Sequence, residues 1–207
     1  MQITICRLYD SYSDANRVVV LLKAAGLPTS ETSVISNNSD TWYSAPKTAN
    51  VVPLRNDGAS SHADGKVEGA AIGAAIGATA ATAASLVTML AIPGVGAVVG
   101  AGWLAAVLGS MAIGGVTGGL LGALTNAGLS EEDAQVFVEG VRRGGTLVAA
   151  RVPETELPRV EAMMNQSAVN LGERRELYRK SGWQSFDPNA VPYTADQVRC
   201  ERALHAR

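Results

Sequence analysis

The dominant pattern in the chain is an uncharged run, Gly69–Ser130, built mainly from Ala, Gly, Val, Leu, Ile and Thr. It is longer than the roughly 20 apolar residues that cross a bilayer once. Proline and glycines disfavour helix over Pro93–Gly102. The pattern therefore predicts a helical hairpin over 69–129, with arms Gly69–Ile92 and Trp103–Ala127. The predicted turn residues are Pro93, Gly94 and Gly96.

Glycines recur every four residues in both predicted arms, which places them on one face of each helix. The predicted interface between helices, or between copies of the chain, consists of Gly69, Gly73, Gly77, Gly114, Gly118 and Gly122. Folding back at the turn would bring Gly73 near Gly122. Small residues let helices approach closely in lipid. The pattern favours membrane contact, and an Ala/Gly-rich core in a large soluble bundle is the alternative.

Both flanks of the run alternate strand and helix patterns. The first flank predicts a strand at Gln2–Leu8, a helix capped by Ser13 or Asp14, and a second strand at Thr32–Ile35. The second flank predicts a helix capped by Ser130. Its other elements are a strand at Thr146–Val152, a helix within Pro153–Gln166 and a strand at Ser167–Leu171. Together these elements predict an α+β, ferredoxin-like (split βαβ) domain into which the apolar hairpin is inserted.

This reading divides the chain into five parts. They are the first half of the ferredoxin-like domain (1–36), a polar linker (37–68), the hairpin (69–129), the second half of the domain (130–171) and a C-terminal tail with a short helix (172–207). In the tail, Trp183 and Phe186 stand among polar residues and are predicted to anchor it to the domain or to a neighbouring subunit. Thr194 is predicted to cap the short helix.

Composition narrows the function classes. The formal net charge is −2, which gives no reason to expect nucleic-acid binding. Cys6 and Cys200 are far apart with no CxxC, so two free thiols are expected, and no metal site or cofactor. No catalytic pair or phosphate-binding loop is apparent, so no small-molecule substrate is assigned. The start of the chain lacks a signal-peptide pattern, so a cytoplasmic N-terminus is expected.

Four stretches of the chain carry a family resemblance. They are Leu8-Tyr-Asp with the helix that follows, Glu68-Gly-Ala with the Ala-Ile-Pro-Gly-Val-Gly turn, Gly144-Gly-Thr-Leu-Val-Ala-Ala, and the tail with Tyr178-Arg-Lys-Ser-Gly-Trp183, Phe186-Asp-Pro-Asn-Ala and Pro192-Tyr-Thr. Together they resemble the bacterial general stress proteins, which include heat-induced and low-temperature-induced members. The resemblance implies a stress-associated protein with a glycine-zipper segment and no known catalytic residues.

The sequence therefore predicts a non-enzymatic structural or membrane-interaction protein that self-associates through the hairpin. Its expected partners are further copies of itself and a lipid membrane. The expected location is the bacterial inner membrane, with the ferredoxin-like domain in the cytoplasm. The alternative is a cytoplasmic homo-oligomer that buries its apolar hairpins in a shared core.

Overall fold

The computed structural model describes residues 2–43, 51–53, 87–114 and 119–205. These residues form a mixed α/β fold in which helices cover both faces of one sheet. The strands are β1 (Gln2–Tyr9), β2 (Thr32–Asn37), β3 (Val51–Pro53), β4 (Val87–Ile92), β5 (Gly96–Ala101) and β6 (Thr146–Pro153). The helices are α1 (Tyr12–Ala24), α2 (Trp103–Gly114), α3 (Gly119–Asn126), α4 (Glu131–Arg142), α5 (Leu157–Met164), α6 (Leu171–Lys180) and α7 (Ala195–His205).

The strand order in the sheet is β1-β6-β2-β5-β4-β3. The first five strands pair antiparallel along this order, and the short β3 pairs parallel with β4 at the edge. Consequently β1, β2, β3 and β4 point in one direction, and β5 and β6 point in the other. Strand β6 separates β1 from β2, and the crossover helix α1 connects these two parallel strands along the chain.

Two apolar cores lie on opposite faces of the sheet. The front core includes Leu8, Ile35 and Leu147 and is covered by α2, α3 and α4. The back core includes Ile5, Tyr9 and Val148 and is covered by α1 and α5. Residues adjacent in a strand alternate between the two cores, as the pleat requires. Because β6 is buried on both faces, it is apolar throughout its first five residues except for Thr146.

Most of the predicted flanking elements are confirmed. Strands β1, β2 and β6 and helices α1, α4 and α5 all lie within a few residues of their predicted bounds. Ser130 caps α4 by accepting a hydrogen bond from the backbone N–H of Asp133. Helix α1 begins earlier than predicted, because Ser11 caps it rather than Ser13 or Asp14. A serine hydroxyl at this position satisfies one of the first backbone N–H groups of the helix.

The predicted strand at Ser167–Leu171 is wrong. Only one ladder-like bond forms there, in which the N–H of Val169 donates to the carbonyl of Leu8 at 2.8 Å. Asn170 then caps α6 by accepting from the N–H groups of Gly172 and Glu173. This cap starts a helix where the sequence pattern indicated a strand. The first part of the predicted tail, up to Lys180, is therefore helical.

The predicted helical hairpin is wrong over Val87–Ala101, which forms the strand pair β4 and β5. The second predicted arm is helical but is divided into α2 and α3, and both helices pack on the front core. The β-branched and large apolar side chains of these two strands are stabilised more by packing on the pleated surface of the sheet than they would be in a helix. Most of the first arm, 69–86, lies outside the described residues. Among the helices of the described part, none combines the length and the apolar character needed to span a bilayer.

Candidate functional site

Helices α2 and α3 carry no charged residue on any side. Their inner faces place Leu104, Leu108, Leu120 and Leu124 in the front core, all fully or almost fully buried. Their other sides are also uncharged, and several residues there are partly exposed. We refer to the partly exposed residues Ala106, Val107, Leu121 and Gly122 as the α2–α3 surface, of which Val107 and Leu121 also pack against the front core. An amphipathic surface helix normally presents charged or polar residues to solvent, so this surface has the composition of a covered one.

The structure describes two of the six glycines of the predicted zipper. Gly69, Gly73, Gly77 and Gly118 lie outside the described residues. Gly114 is the last residue of α2, and Gly122 lies in α3. A Cβ atom added at Gly122 would meet no atom within 4 Å in the described part of the chain. The facing pair Gly73 and Gly122 therefore remains a prediction.

The predicted turn residues do form a turn, but it joins two strands rather than two helices. Pro93, Gly94 and Val95 connect β4 to β5, and the N–H of Val95 donates to the carbonyl of Ile92. Gly94 has φ of +72°, a left-handed conformation that a side chain would strain. Proline and glycine interrupt strand and helix patterns alike, so these residues predict a turn but not the type of element on either side of it.

The C-terminal tail covers this turn. A Cβ atom at Gly94 would lie 2.7 Å from the carbonyl O of Asp187 and 2.9 Å from the ring of Phe186. Phe186 is partly buried and packs against the front core. Trp183 lies elsewhere, with its ring 5.9 Å from that of Tyr178 on α6 in an edge-on arrangement. Of the two predicted anchors, one thus contacts the β4–β5 turn and the other contacts α6.

A buried ionic cluster fixes the rest of the tail. Glu139 on α4 is fully buried and pairs with Arg142 at 3.3 Å and with Arg143 at 2.7 Å. Burial by itself lowers the pKa of Arg143, but the hydrogen bond and charge of Glu139 outweigh that effect and raise it. Both guanidinium groups also lie over aromatic rings, Arg142 over Tyr193 and Arg143 over Tyr178. We call Glu139, Arg142 and Arg143 the Glu139 cluster.

The partners of the Glu139 cluster come from α6, α7 and the segment between them. Arg142 donates to the carbonyl of Val191, and Arg143 pairs with Glu201 at 3.4 Å. Tyr178 is almost fully buried, and burial raises its pKa to about 12. On α7, Arg202 donates to the carbonyls of Gly144 and Asn37 and pairs with Asp40. The cluster therefore ties the C-terminal helices to the domain.

Sequence reasoning missed this cluster. The i, i+3 and i, i+4 spacing of Glu139, Arg142 and Arg143 was a local signal for pairing on one helix face. The charges of α4 and α7 are far apart in sequence, and nothing in their spacing indicates that they meet. A signal for α6 was present, since Asn170 precedes Glu173 in the first turn and Arg179 and Lys180 in the last. The predicted final helix is confirmed as α7, where the hydroxyl of Thr194 accepts from the N–H of Gln197.

An open cleft of about 940 Å³ lies between the start of α1 and helices α6 and α7. Arg174 pairs with Asp10 across it at 2.7 Å, and His205 lines its far side. Burial, followed by the charge of Arg174, lowers the pKa of His205. Both acidic and basic side chains line the cleft, and two pairs among them are Arg174 with Asp10 and Arg17 with Asp14.

The described residues hold no group of three or more potential metal ligands. Both cysteines are free, as predicted, with Cys6 buried and Cys200 exposed. Burial raises the pKa of the Cys6 thiol to about 12, so this thiol is unreactive at neutral pH.

Comparisons with known proteins return no match. Neither the models of known protein families, nor the curated proteins, nor the solved structures include a significant match to this chain.

Proposed function

We propose that this protein is a non-enzymatic, stress-associated structural protein that self-associates through the uncharged segment 69–86. The observation that carries the proposal is the α2–α3 surface, which is uncharged although it is partly exposed. Segment 69–86 is also uncharged and carries Gly69, Gly73 and Gly77 at a spacing of four. Two uncharged surfaces of small and aliphatic residues lower their free energy by contacting each other or their copies.

The sheet supports the proposed relation to ferredoxin-like proteins. Strand β6 lies between the parallel strands β1 and β2, which α1 connects, and this is the arrangement of a split βαβ unit. In addition, Val169 bonds to β1 at the edge where the predicted fourth strand would pair. We propose that the domain is a ferredoxin-like unit extended by β5, β4 and β3. The stress association rests on the sequence resemblance.

Strand pairing limits how the chain could contact a membrane. Segment 54–86 joins β3 to β4, which are neighbours in one sheet, so both of its ends lie on the same side of any bilayer. Its uncharged part, 69–86, is long enough for one crossing at most, and two would be required. We therefore propose contact with the surface of the inner membrane, with the domain in the cytoplasm, as the second candidate function.

Light scattering coupled to size-exclusion chromatography tests self-association. The full chain is expected to form oligomers whose mass rises with concentration, and Gly73→Leu is expected to reduce that mass because the added side chain separates the packed surfaces. Gly73→Ala should have a smaller effect. Ser185→Leu, which adds a leucine to an exposed tail position, is the control. A wild-type chain that stays monomeric at every concentration contradicts the proposal.

Flotation with vesicles of phosphatidylethanolamine and phosphatidylglycerol tests the second candidate. If the membrane surface is a partner, the full chain floats with the vesicles and Gly73→Asp does so less. Protein that stays at the bottom of the gradient, in both low and high salt, rules out this candidate and leaves self-association unaffected.

A further inference from the structure

Two large aromatic side chains are exposed in contact with each other. Tyr12 is the first residue of α1 and is 43% exposed, and Trp42, in the loop that follows β2, is 38% exposed. Their ring centroids are 4.6 Å apart, with the ring planes tilted by 41°. Single exposed apolar residues are ordinary, whereas a contiguous group with polar surroundings is typical of a binding surface. We call Tyr12 and Trp42 the aromatic pair.

Hydrogen bonds within the loop hold Trp42 in place. Its indole N–H donates to the carbonyl of Asn37 at 2.7 Å. The buried side chain of Asn38 bonds both to the N–H and to the carbonyl of Tyr43. Between them, Thr41 has φ of +53°, and such a left-handed conformation costs a residue with a Cβ roughly 1–3 kcal/mol. Strain of this kind is frequent in ligand-binding loops, and a ring fixed in advance loses little entropy on binding.

The aromatic pair borders the cleft between α1, α6 and α7. Arg202 lines this cleft, and its guanidinium donates to the same carbonyl of Asn37 that accepts the indole N–H of Trp42. On the other side of the pair, Tyr12 immediately precedes Ser13, which also lines the cleft. The volume of the cleft, about 940 Å³, is within the range of sites for small ligands. An apolar rim and a polar cleft therefore form one continuous surface.

The charges of the cleft favour a neutral ligand. Among the described residues, the arginines that line it are each paired with an aspartate: Arg174 with Asp10, Arg17 with Asp14, and Arg202 with Asp40. Glu173 adds a further negative charge to the lining. An anion would have to compete for paired arginines and approach Glu173. A neutral hydroxyl can instead donate to a carboxylate or accept from a guanidinium while the ion pairs remain in place.

A sugar ring matches both parts of this surface. The face of a pyranose ring carries C–H groups that pack on an aromatic ring, whereas its edge carries hydroxyls that donate and accept hydrogen bonds. We propose that the cleft, with the aromatic pair at its rim, is a binding site for a neutral oligosaccharide. One sugar ring lies on the aromatic pair, and hydroxyls of the next sugar bond to the polar side chains of the cleft. This site goes beyond the proposed function and does not depend on it, since it uses no part of the uncharged segment.

Isothermal titration calorimetry of the full chain with maltotriose, cellotriose and chitotriose tests the site. At least one of the three trisaccharides is expected to bind saturably. Tyr12→Ser should weaken that binding about tenfold or more because it removes one of the stacked rings, whereas Tyr12→Phe keeps the ring and should bind as the wild-type chain does. If none of the three binds to the wild-type chain, or if Tyr12→Ser binds with unchanged affinity, the proposal is overturned.

A matched pair of variants on α1 tests the cleft itself. Ser13 and Asn16 are both exposed, but only Ser13 is among the lining residues. Ser13→Leu is expected to weaken binding of the trisaccharide about tenfold, and Asn16→Leu to leave it unchanged. Equal affinities in the two variants would place the ligand outside the cleft and overturn the proposal.

Adenosine monophosphate tests the ligand class, because it combines a flat ring with a negative charge. It is expected not to bind, and a chain that binds it but none of the trisaccharides contradicts a saccharide site. Light scattering of the same variants reports self-association separately, so a failure of the saccharide site and a failure of the proposed function are distinct results.

Discussion

Arg143 donates a hydrogen bond of 2.7 Å from Nε to the carboxylate of Glu139, which is fully buried one helical turn earlier on α4. Arg142 approaches the same carboxylate at 3.3 Å. One buried carboxylate is therefore shared by the two guanidinium groups that hold the C-terminal helices. Removing one partner from a buried pair costs far more than the pair itself contributes, because a charge stays buried without compensation.

Glu139→Ala is expected to destabilise the fold by roughly 3–5 kcal/mol, since it removes the buried carboxylate that both guanidinium groups share and leaves only Glu201, at 3.4 Å from Arg143. The free energy of unfolding in urea measures this loss. Glu161→Ala is the control, because Glu161 pairs with Arg7 at 2.7 Å on a partly exposed surface and should cost less than about 1 kcal/mol. An equal loss of unfolding free energy in both variants would show that burial does not increase the contribution of Glu139 to stability.

Gly94→Ala is expected to destabilise the protein more than Gly182→Ala does. Both glycines have positive φ, which costs roughly 1–2 kcal/mol for a residue with a Cβ. Only at Gly94 would the Cβ also press against the backbone of Asp187, whereas at Gly182 it meets nothing within 4 Å. Limited proteolysis of the 183–193 segment should be faster in Gly94→Ala, because the tail has to move. Equal stability and equal cleavage in both variants would argue against docking of the tail on the turn.

Val198→Ala tests whether α7 is part of the folded domain. Val198 is fully buried, and its side chain lies against Gly144. We expect a loss of roughly 2 kcal/mol in the free energy of unfolding. Val191→Ala is the matched control, because Val191 is 82% exposed and should change stability by less than about 0.5 kcal/mol. An unchanged free energy of unfolding in Val198→Ala would mean that packing of α7 does not stabilise the domain.

Lowering the pH is expected to weaken the attachment of α7 through His205. Burial, then Arg174, lowers the pKa of His205, so the unfolded chain takes up this proton at a higher pH than the folded chain does. The contribution of neutral His205 is complete above the ordinary pKa of 6.5 and is lost as the pH falls below it. Unfolding in urea at pH 7.5 and 5.5 measures the change.

The matched variant for the pH experiment is His205→Asn, which cannot titrate. Its stability should fall less between the two pH values than that of the wild-type chain. Asp10 and Glu201 lie near His205 and act in the opposite direction, so the difference between the two proteins is the informative quantity. An identical pH dependence in both would contradict the role of His205.

The structure also changes an expectation about the tail. The predicted boundary, with the domain ending at 171 and the tail covering 172–207, implies that truncation after Leu177 leaves the domain intact. Instead, α6 continues to Lys180, and Tyr178 and Val198 are almost fully or fully buried. Truncation after Leu177 is therefore expected to unfold or strongly destabilise the domain, as circular dichroism would show.

The sequence by itself determined those elements whose signals are local. Alternation predicted β1, and a short run that is apolar on both faces predicted β6. Ser130 predicted the start of α4, and Thr194 that of α7. Each depends on residues within a few positions of one another, where periodicity and capping act directly. The lack of charge in α2 and α3 was also visible, although not the sheet on which they pack.

Only the tertiary structure decided the elements that depend on distant partners. Val87–Ile92 is a strand because β5 and β3 pair with it, although its apolar run was equally compatible with helix. The Glu139 cluster contacts Glu201 because α7 folds back onto α4, which brings Glu201 to Arg143 across 58 residues of sequence. Local propensity carries no information about such contacts, since their free energy comes from groups that meet only after the chain has folded.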